Sequence, residues 1–301
     1  MKKRHIKEGT CKVEKSRLQK IGIGISAVFA LALIGWQVAY VVVQHKYRIE
    51  YLDTSFFYII NALILILIFL AVFNFFKGQS KIQVVCALAF FVLLVFNGQR
   101  LYHEKVQTQT NINFSPDHQQ VFILKRNRET GETITYRRYY GVFARPDEVL
   151  PYYARHTFKF QWLTPDIVTV TYREKNNGVI REHVGTYGDR GSGISYYYVQ
   201  SALTGIWEGT DSEGEPVTLD YSSGEMNLST HGESETFEAA DNLQFGTIAL
   251  VLRSEDYAKW TIALNQDCVI GENGLIEDGG TITLSDISLK KTKPIVLERI
   301  Q

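Results

Sequence analysis

Ser288-Leu-Lys-Lys291 fits S-x-x-K, in which a serine at a helix start attacks an acyl group while a lysine one turn on handles its proton. Here Ile282, Leu284, Ile287 and Leu289 give that stretch the alternation of a strand, and the S-D-N and K-T-G companions are absent. The match is expected to be fortuitous. Seven histidines stand at 5, 45, 103, 118, 156, 183 and 231, with no pair at metal-ligand spacing and no HExxH. One cysteine beyond the apolar stretches, Cys268, leaves only an all-histidine or carboxylate zinc site open. GDRGSG at 188–193 has the glycines of a phosphate cradle but neither the following helix nor the lysine, which predicts a wide turn. DSEGE at 211–215 lacks the regular oxygen spacing of a calcium loop and predicts a solvated turn. No cofactor is implied.

The densest chemistry is cationic. Arg126, Arg128, Arg137, Arg138, Arg145 and Arg155, with Lys125 beside them, crowd one region among Tyr136, Tyr139, Tyr140, Tyr152 and Tyr153. Near a bilayer such a surface attracts anionic headgroups at about 1 kcal/mol per cation. The expected contacts are anionic lipid or wall polymer, or an acidic protein surface; nothing points to nucleic acid. The plain alternative is a solvated basic face.

The elements that carry these residues divide by charge. Residues 1–99 hold 12 Lys/Arg against 4 Asp/Glu, 100–203 hold 14 against 10, and 204–301 hold 6 against 18. Three uncharged stretches, 21–43, 55–76 and 82–98, read as transmembrane helices. The first is roughly 35 Å long as a helix and the third only roughly 25 Å, so the third must thin the bilayer or lean on its neighbours. Ala30-Leu31-Ala32 mimics a signal-peptide cleavage box, but apolar sequence continues well past it, which predicts an uncleaved anchor. The basic head at 1–20 together with Lys77 and Lys81 outweighs Lys46, Arg48, Arg100 and Lys105, which predicts a cytoplasmic N-terminus and everything after residue 99 outside. That topology puts Cys11, Cys86 and Cys268 in separate compartments, with no disulfide among them.

The spans contain no ionisable residue; their polarity is amide, at Gln37, Asn61, Asn74, Gln83 and Asn97. Amides in hydrocarbon are expected to bond across helices rather than conduct protons. Gly22, Ser26 and Ala30 recur at four-residue spacing, a stripe on which another helix could pack closely, and Gly35 with Ala39 repeats it. The stripe offers a contact to another membrane protein or to a second copy.

Beyond the spans, 99–113 reads as a polar linker and 114–203 as a basic, tyrosine-rich β region. KNNG at 175–178 between alternating runs predicts a hairpin, RETGE at 128–132 predicts another, and 146–155 predicts a helical turn or two. FSPDHQQVFILKR and LTPDIVTVTYRE look alike and resemble the SPDG strands of β-propeller blades; two copies cannot close a propeller, and proline at a turn's second position explains both. At 203/204 the composition turns acidic, and a boundary is expected there.

Gly205-x-Trp207 with Gly209 following, a meander of short strands and the closing PIVLERI make 204–301 resemble the small lipocalin-like domains of bacterial envelope proteins. The resemblance implies a tryptophan at the barrel base covered by an arginine of the last strand, here Trp207 and Arg299. The whole chain is similar to multi-pass membrane proteins of Gram-positive bacteria. The expected architecture is a three-helix transmembrane anchor followed by an all-β ectodomain of antiparallel hairpins, its C-terminal part a small up-and-down barrel or sandwich. The expected role is a membrane-anchored extracytoplasmic binding protein, an accessory or regulatory component of the envelope. Two rivals are an envelope enzyme with a dispersed site, predicting a deep pocket with His156 or His183 beside carboxylates, and a transporter subunit packed along the Gly22 stripe.

Overall fold

The computed structural model describes residues 2–191 and 196–300, with side chains from residue 21 onward. The basic head and Cys11 therefore lie outside the described side chains, as do the last two residues of the GDRGSG turn. The chain divides into two compact units, Met1–Thr110 with Arg137–Pro146, and Asn111–Tyr136 with Asp147–Gln301.

The first unit is helical. Its elements are α1 (Lys2–Tyr47), a two-residue strand β1 (Glu50–Tyr51), α2 (Ser55–Phe75) and α3 (Ser80–Gln107). Three helices, Ile21–Tyr47 within α1 together with α2 and α3, are long and apolar enough to cross a membrane. Arg48 ends α1 in a left-handed conformation, φ 54°, and Gly78 turns the α2–α3 link at φ 95°, where glycine carries no Cβ penalty. The intramembrane amides knit the helices. Gln37 Nε2 donates to Asn61 Oδ1 (3.0 Å) and to the Phe57 carbonyl (2.9 Å), Asn97 Nδ2 to the Tyr58 carbonyl (3.0 Å), and Gln83 Nε2 to the Phe73 carbonyl (3.2 Å). Asn74 instead bonds back to the Leu70 carbonyl of its own helix (2.8 Å). Phe69 and Phe90 stack between α2 and α3 with ring centroids 4.5 Å apart.

The third helix outruns its apolar stretch, so residues 99–107, expected to be part of a polar linker, are helical. It runs for 28 residues. The polar residues that end the apolar run, among them Gln99, Arg100, Glu104 and Lys105, are good helix formers, so the helix continues through them. Lys105 then reaches Asp53 at 2.8 Å, tying the far end of α3 to the α1–α2 link. From Thr108 the chain passes directly into a strand.

The remaining chain is strand-rich: β2 (Thr108–Phe114), β3 (Val121–Asn127), β4 (Thr133–Arg138), β5 (Phe143–Val149), β6 (Ala154–Thr164), β7 (Ile167–Glu174), β8 (Ile180–Thr186), a single helical turn α4 (Val199–Ala202), and β9 to β17 beyond it. The KNNG hairpin joins β7 to β8, and the RETGE turn joins β3 to β4. Both Ser/Thr-Pro-Asp stretches are turns: His118 N bonds to the Ser115 carbonyl at 2.9 Å, and Thr164 Oγ1 donates to Asp166 Oδ1 at 2.7 Å. Residues 146–155 are not helical. Pro146 has no N–H to offer, and the backbone beyond it bonds to β4, Leu150 N to the Thr133 carbonyl at 2.9 Å, so an extended partner satisfies what a helix would have.

The nine C-terminal strands are β9 (Gly205–Thr210), β10 (Pro216–Tyr221), β11 (Met226–Thr230), β12 (Glu233–Phe237), β13 (Leu243–Phe245), β14 (Ala249–Ser254), β15 (Tyr257–Leu264), β16 (Thr281–Asp286) and β17 (Ile295–Arg299). They form one antiparallel sheet, ordered β12-β11-β10-β9-β17-β16-β15-β14-β13. Strands pair with their chain neighbours except β12 with β13, and the last strand returns to the first, with Leu297 opposite Gly209 and Arg299 opposite Trp207. The result is a pair of half-barrels fused along β9 and β17. Alternation sends Val217 and Leu219, Met226 and Leu228, Ile262 and Leu264, and Ile282 and Leu284 into the interior around Trp207, which is fully buried. Ile167 and Val184 from β7 and β8 belong to the same hydrophobic cluster, so the core is continuous where the composition changes at 203/204. A second cluster packs Phe122, Leu124, Leu150, Val168, Val170 and Tyr172. Cys86 and Cys268 are free thiols, Cys268 buried.

Candidate functional site

In the helical unit, residues 137–146 carry Phe143 onto the ends of the helices: Phe143 and Ala144 pair with Tyr51 and Glu50 of β1. The ring of Phe143 lies 5.1 Å from Tyr51, 5.8 Å from Trp36 and 6.0 Å from Tyr40, centroid to centroid. Beneath these rings the polar atoms are consumed. Trp36 Nε1 donates to the Tyr51 hydroxyl at 2.9 Å, and that hydroxyl donates to Gln37 Oε1 at 3.4 Å. A cavity of about 280 Å³ remains, lined by Trp36, Ala39, Tyr40, Val43, Ile49, Tyr139, Tyr140 and Phe143. It is an aromatic, apolar hollow at one end of the membrane-spanning helices, whose tryptophan has its one donor turned elsewhere.

The basic set is split. Arg137, Arg138 and Arg145 belong to the helical unit and are exposed, with no acidic residue anywhere in 137–146. Arg138 Nε donates across its turn to the Gly141 carbonyl at 3.3 Å. Arg126, Arg128 and Arg155 belong to the β unit. Arg126 is only 6 % exposed and donates to the Ala154 carbonyl at 2.7 Å, so it braces the sheet rather than facing an anionic surface. Arg128 and Arg155 are exposed. Lys125 sits over the Tyr136 ring, 4.5 Å from its centroid, a cation on an aromatic face.

A second cavity, about 250 Å³, lies within the β unit against β8 and β13 to β15. Glu148, Tyr152, Arg181, Glu182, His183 and Phe245 are among its lining residues. Arg181 forms an ion pair with Glu174 at 3.0 Å, lies 3.9 Å from the centroid of the Tyr152 ring and donates to the Asp256 carbonyl at 2.8 Å. His183 is wedged beside Phe122 and Phe245, with centroids at 6.3 and 5.5 Å, and burial lowers its pKa to about 4. Glu182, next to it on the strand, projects to the opposite face. There burial raises its pKa to about 7, against the pull of hydrogen bonds from Thr171, Thr261 and Thr169. Histidine and carboxylate thus share a segment without facing one another, and proton exchange between them has no direct path. His156 is exposed on β6.

The other candidate residues are structural or solvated. Ser288 donates to the Lys290 carbonyl at 3.3 Å in the loop after β16. Asp211 of the DSEGE turn accepts from the backbone N–H groups of Glu213 (2.8 Å) and Glu215 (3.0 Å). Asp189 of the GDRGSG turn accepts from the Tyr197 and Thr247 hydroxyls (3.1 and 3.2 Å), and Arg190 beside it is buried against Asp166. Among the described residues no group of three or more His, Cys, Asp and Glu is placed to hold a metal ion. Trp207 donates to the Leu203 carbonyl at 2.9 Å, while Arg299, its cross-strand partner, donates to the Ile276 carbonyl. Along the small-residue stripe, Ala30 is buried, Ser26 half-buried and Gly22 exposed, with open space within 4 Å of a Cβ built on Gly22.

The aromatic cavity was only partly legible. Tyr139 and Tyr140 stand out as part of the basic, tyrosine-rich cluster, but nothing local shows that Phe143 beside them meets Trp36 and Tyr40. The signal that carries it is RRYYGVF itself, arginines and aromatics around a glycine in an otherwise polar hairpin. No protein family, curated protein or solved structure matches the chain.

Proposed function

We propose that the chain is a membrane-anchored binding protein whose β unit lies on the extracytoplasmic side of a cell envelope and serves as an accessory or regulatory module there. The excess of Lys and Arg before the first span and between the second and third supports that orientation. The nine-stranded meander, with Trp207 buried in its core and opposite Arg299 of the last strand, supports the lipocalin-like reading of residues 204–301.

The observation that carries the binding role is the state of the ionisable groups in the β-unit cavity. Arg181 is held by Glu174 and Tyr152, His183 is shielded by rings, and Glu182 is turned onto threonines. A reaction centre needs such groups convergent and within reach of one another. A recognition pocket needs only fixed shape and a few oriented polar atoms. Gentle detergent extraction of the full chain, followed by mass spectrometry of co-purifying proteins and small molecules, tests this reading. A bound species lost in Tyr152→Ala supports it; a reporter fused after residue 301 that is active in the cytosol removes it.

The envelope-enzyme reading keeps one specific support, the presence of Glu148, Glu182 and His183 in the same cavity. It requires turnover of an envelope substrate that falls in both Glu182→Gln and His183→Gln.

A further inference from the structure

The aromatic hollow of the helical unit matches one class of molecule in two independent ways, by its interior and by its rim. Inside, Trp36, Tyr40, Val43 and Phe143 present rings and methyl groups. The indole N–H is committed to the Tyr51 hydroxyl and that hydroxyl to Gln37, so the interior suits hydrocarbon and would leave a polar occupant's hydrogen bonds unmet. The hollow is set into helices that span a bilayer, which makes an acyl chain the hydrocarbon at hand.

The rim is cationic. On α1, Lys46 follows Val43 by three residues and so stands on the same helix face, one turn further out. On β5, Arg145 shares the face of Phe143, because strand side chains alternate. Arg138 closes the turn that carries Tyr139 and Tyr140 and is anchored there by the Gly141 carbonyl. Cations above an apolar slot reproduce, in complementary form, an amphiphile with a negative head and a hydrocarbon tail. Carboxylates on these elements are Glu50, which pairs in β1 with Ala144, and Asp147 and Glu148, which follow Arg145 on β5.

We propose that this hollow is a binding site for an anionic phospholipid of the surrounding bilayer, one acyl chain lying among Trp36, Tyr40 and Phe143 and the phosphate resting on Lys46, Arg138 and Arg145. The inference needs only that the helices cross a membrane; neither the orientation of the chain nor the role of the β unit enters it.

Trp36 supplies the probe. The full-length protein is placed in nanodiscs of unlabelled phosphatidylcholine with a minor fraction of lipid brominated on its acyl chains, either phosphatidylglycerol or phosphatidylcholine. The quenching of Trp36 is read as the difference between the wild type and Trp36→Phe. Brominated phosphatidylglycerol is expected to quench at several-fold lower mole fraction than brominated phosphatidylcholine. Removing each arginine, Arg138→Ala and Arg145→Ala, is expected to cut that preference about fivefold, the equivalent of about 1 kcal/mol per cation near the surface. Lysine at the same positions should keep most of it, which separates loss of charge from damage to the hairpin. Ala39→Leu, filling the hollow, should weaken quenching by both lipids. Equal quenching by the two lipids, or a preference unmoved by loss of both arginines, overturns the proposal. Nanodiscs expose both faces of the bilayer, so a negative result leaves the extracytoplasmic reading of the β unit untouched.

Discussion

Arg190 and Asp166 meet in a two-point ion pair, Nη1 to Oδ2 at 2.7 Å and Nη2 to Oδ1 at 3.0 Å, between a glycine-rich turn and the turn that joins β6 to β7. The same guanidinium donates to the carbonyls of Leu264 (3.0 Å) and Asn265 (2.6 Å) in the nine-stranded sheet. One buried side chain therefore joins the three-stranded sheet β6-β7-β8 to the nine-stranded sheet. Gly188 is tied to it, since a Cβ there would lie 2.1 Å from Asp166 Oδ2.

Arg190→Met should cost about 3–5 kcal/mol, because it strands a buried carboxylate and several carbonyls. Arg190→Met with Asp166→Leu should recover part of the loss. Burial alone would raise the Asp166 pKa, but hydrogen bonds from Arg190 and Thr164 prevail and hold it below its ordinary value of 3.8. Its stabilisation is complete above that value and fades as the pH falls through the lowered one. Chemical denaturation of the full-length protein in detergent, from neutral pH downward, should show that acid limb in the wild type and not in Arg190→Met.

His183 and Glu182 should bend the stability curve in opposite directions. With its pKa lowered from 6.5 to about 4, His183 contributes stability that is whole above pH 6.5 and declines as the pH drops toward 4. With its pKa raised from 4.5 to about 7, Glu182 contributes stability that is whole below pH 4.5 and declines as the pH rises toward 7. Each effect is worth up to about 3 kcal/mol. Between pH 4.5 and 6.5 the two slopes oppose one another, so melting temperature should fall with rising pH in His183→Phe and rise with pH in Glu182→Gln.

Tyr51→Phe removes the hydroxyl that satisfies Trp36 and engages Gln37. An orphaned indole donor costs about 1–3 kcal/mol. Thermal unfolding of the helical signal in detergent should shift to lower temperature, accompanied by a change in Trp36 emission. Unchanged melting would mean that the hydroxyl holds nothing together.

Gly209 sits where β9 meets β17, and a Cβ on it would lie 2.2 Å from the Val296 carbonyl oxygen and 2.7 Å from Leu297 Cδ2. Because the first obstacle is backbone, Gly209→Ala must part the two strands, at about 1–3 kcal/mol. Amide hydrogen exchange should rise first in β9 and β17. Gly22→Ala, made where the chain leaves open space, should leave stability within about 1 kcal/mol. It would change co-purification only if a partner helix packs on that stripe.

The helices and the meander were readable because each is written in local pattern: uncharged runs, alternation and asparagine-glycine turns. The end of α3 is not visible in the hydropathy, because Asn97 and Gly98 mark the edge of the apolar run, whereas the helix continues to Gln107, nine residues past Gly98, before Thr-Gln-Thr-Asn-Ile turns extended. Arg126 looked like its neighbours in the basic cluster; its burial depends on a carbonyl 28 residues away. The same holds for Arg190 with Asp166 and for Phe143 with Trp36. Long-range pairings leave no periodic trace, so a single chain shows their parts and hides their meeting.

Strands β12 and β13 stand at the two ends of the nine-stranded sheet, consecutive in the chain yet unpaired with each other. An open margin of this kind is a template on which a neighbouring molecule can stack. The exposed side chains of β12 include Glu233 and Glu235, the latter 3.9 Å from Lys259, in the most acidic third of the protein. Two copies approaching margin to margin would oppose carboxylate to carboxylate, a guard that works only while those groups are ionised and the salt is dilute. Acidification or concentrated electrolyte is therefore the condition under which crowded copies would begin to polymerise along that seam.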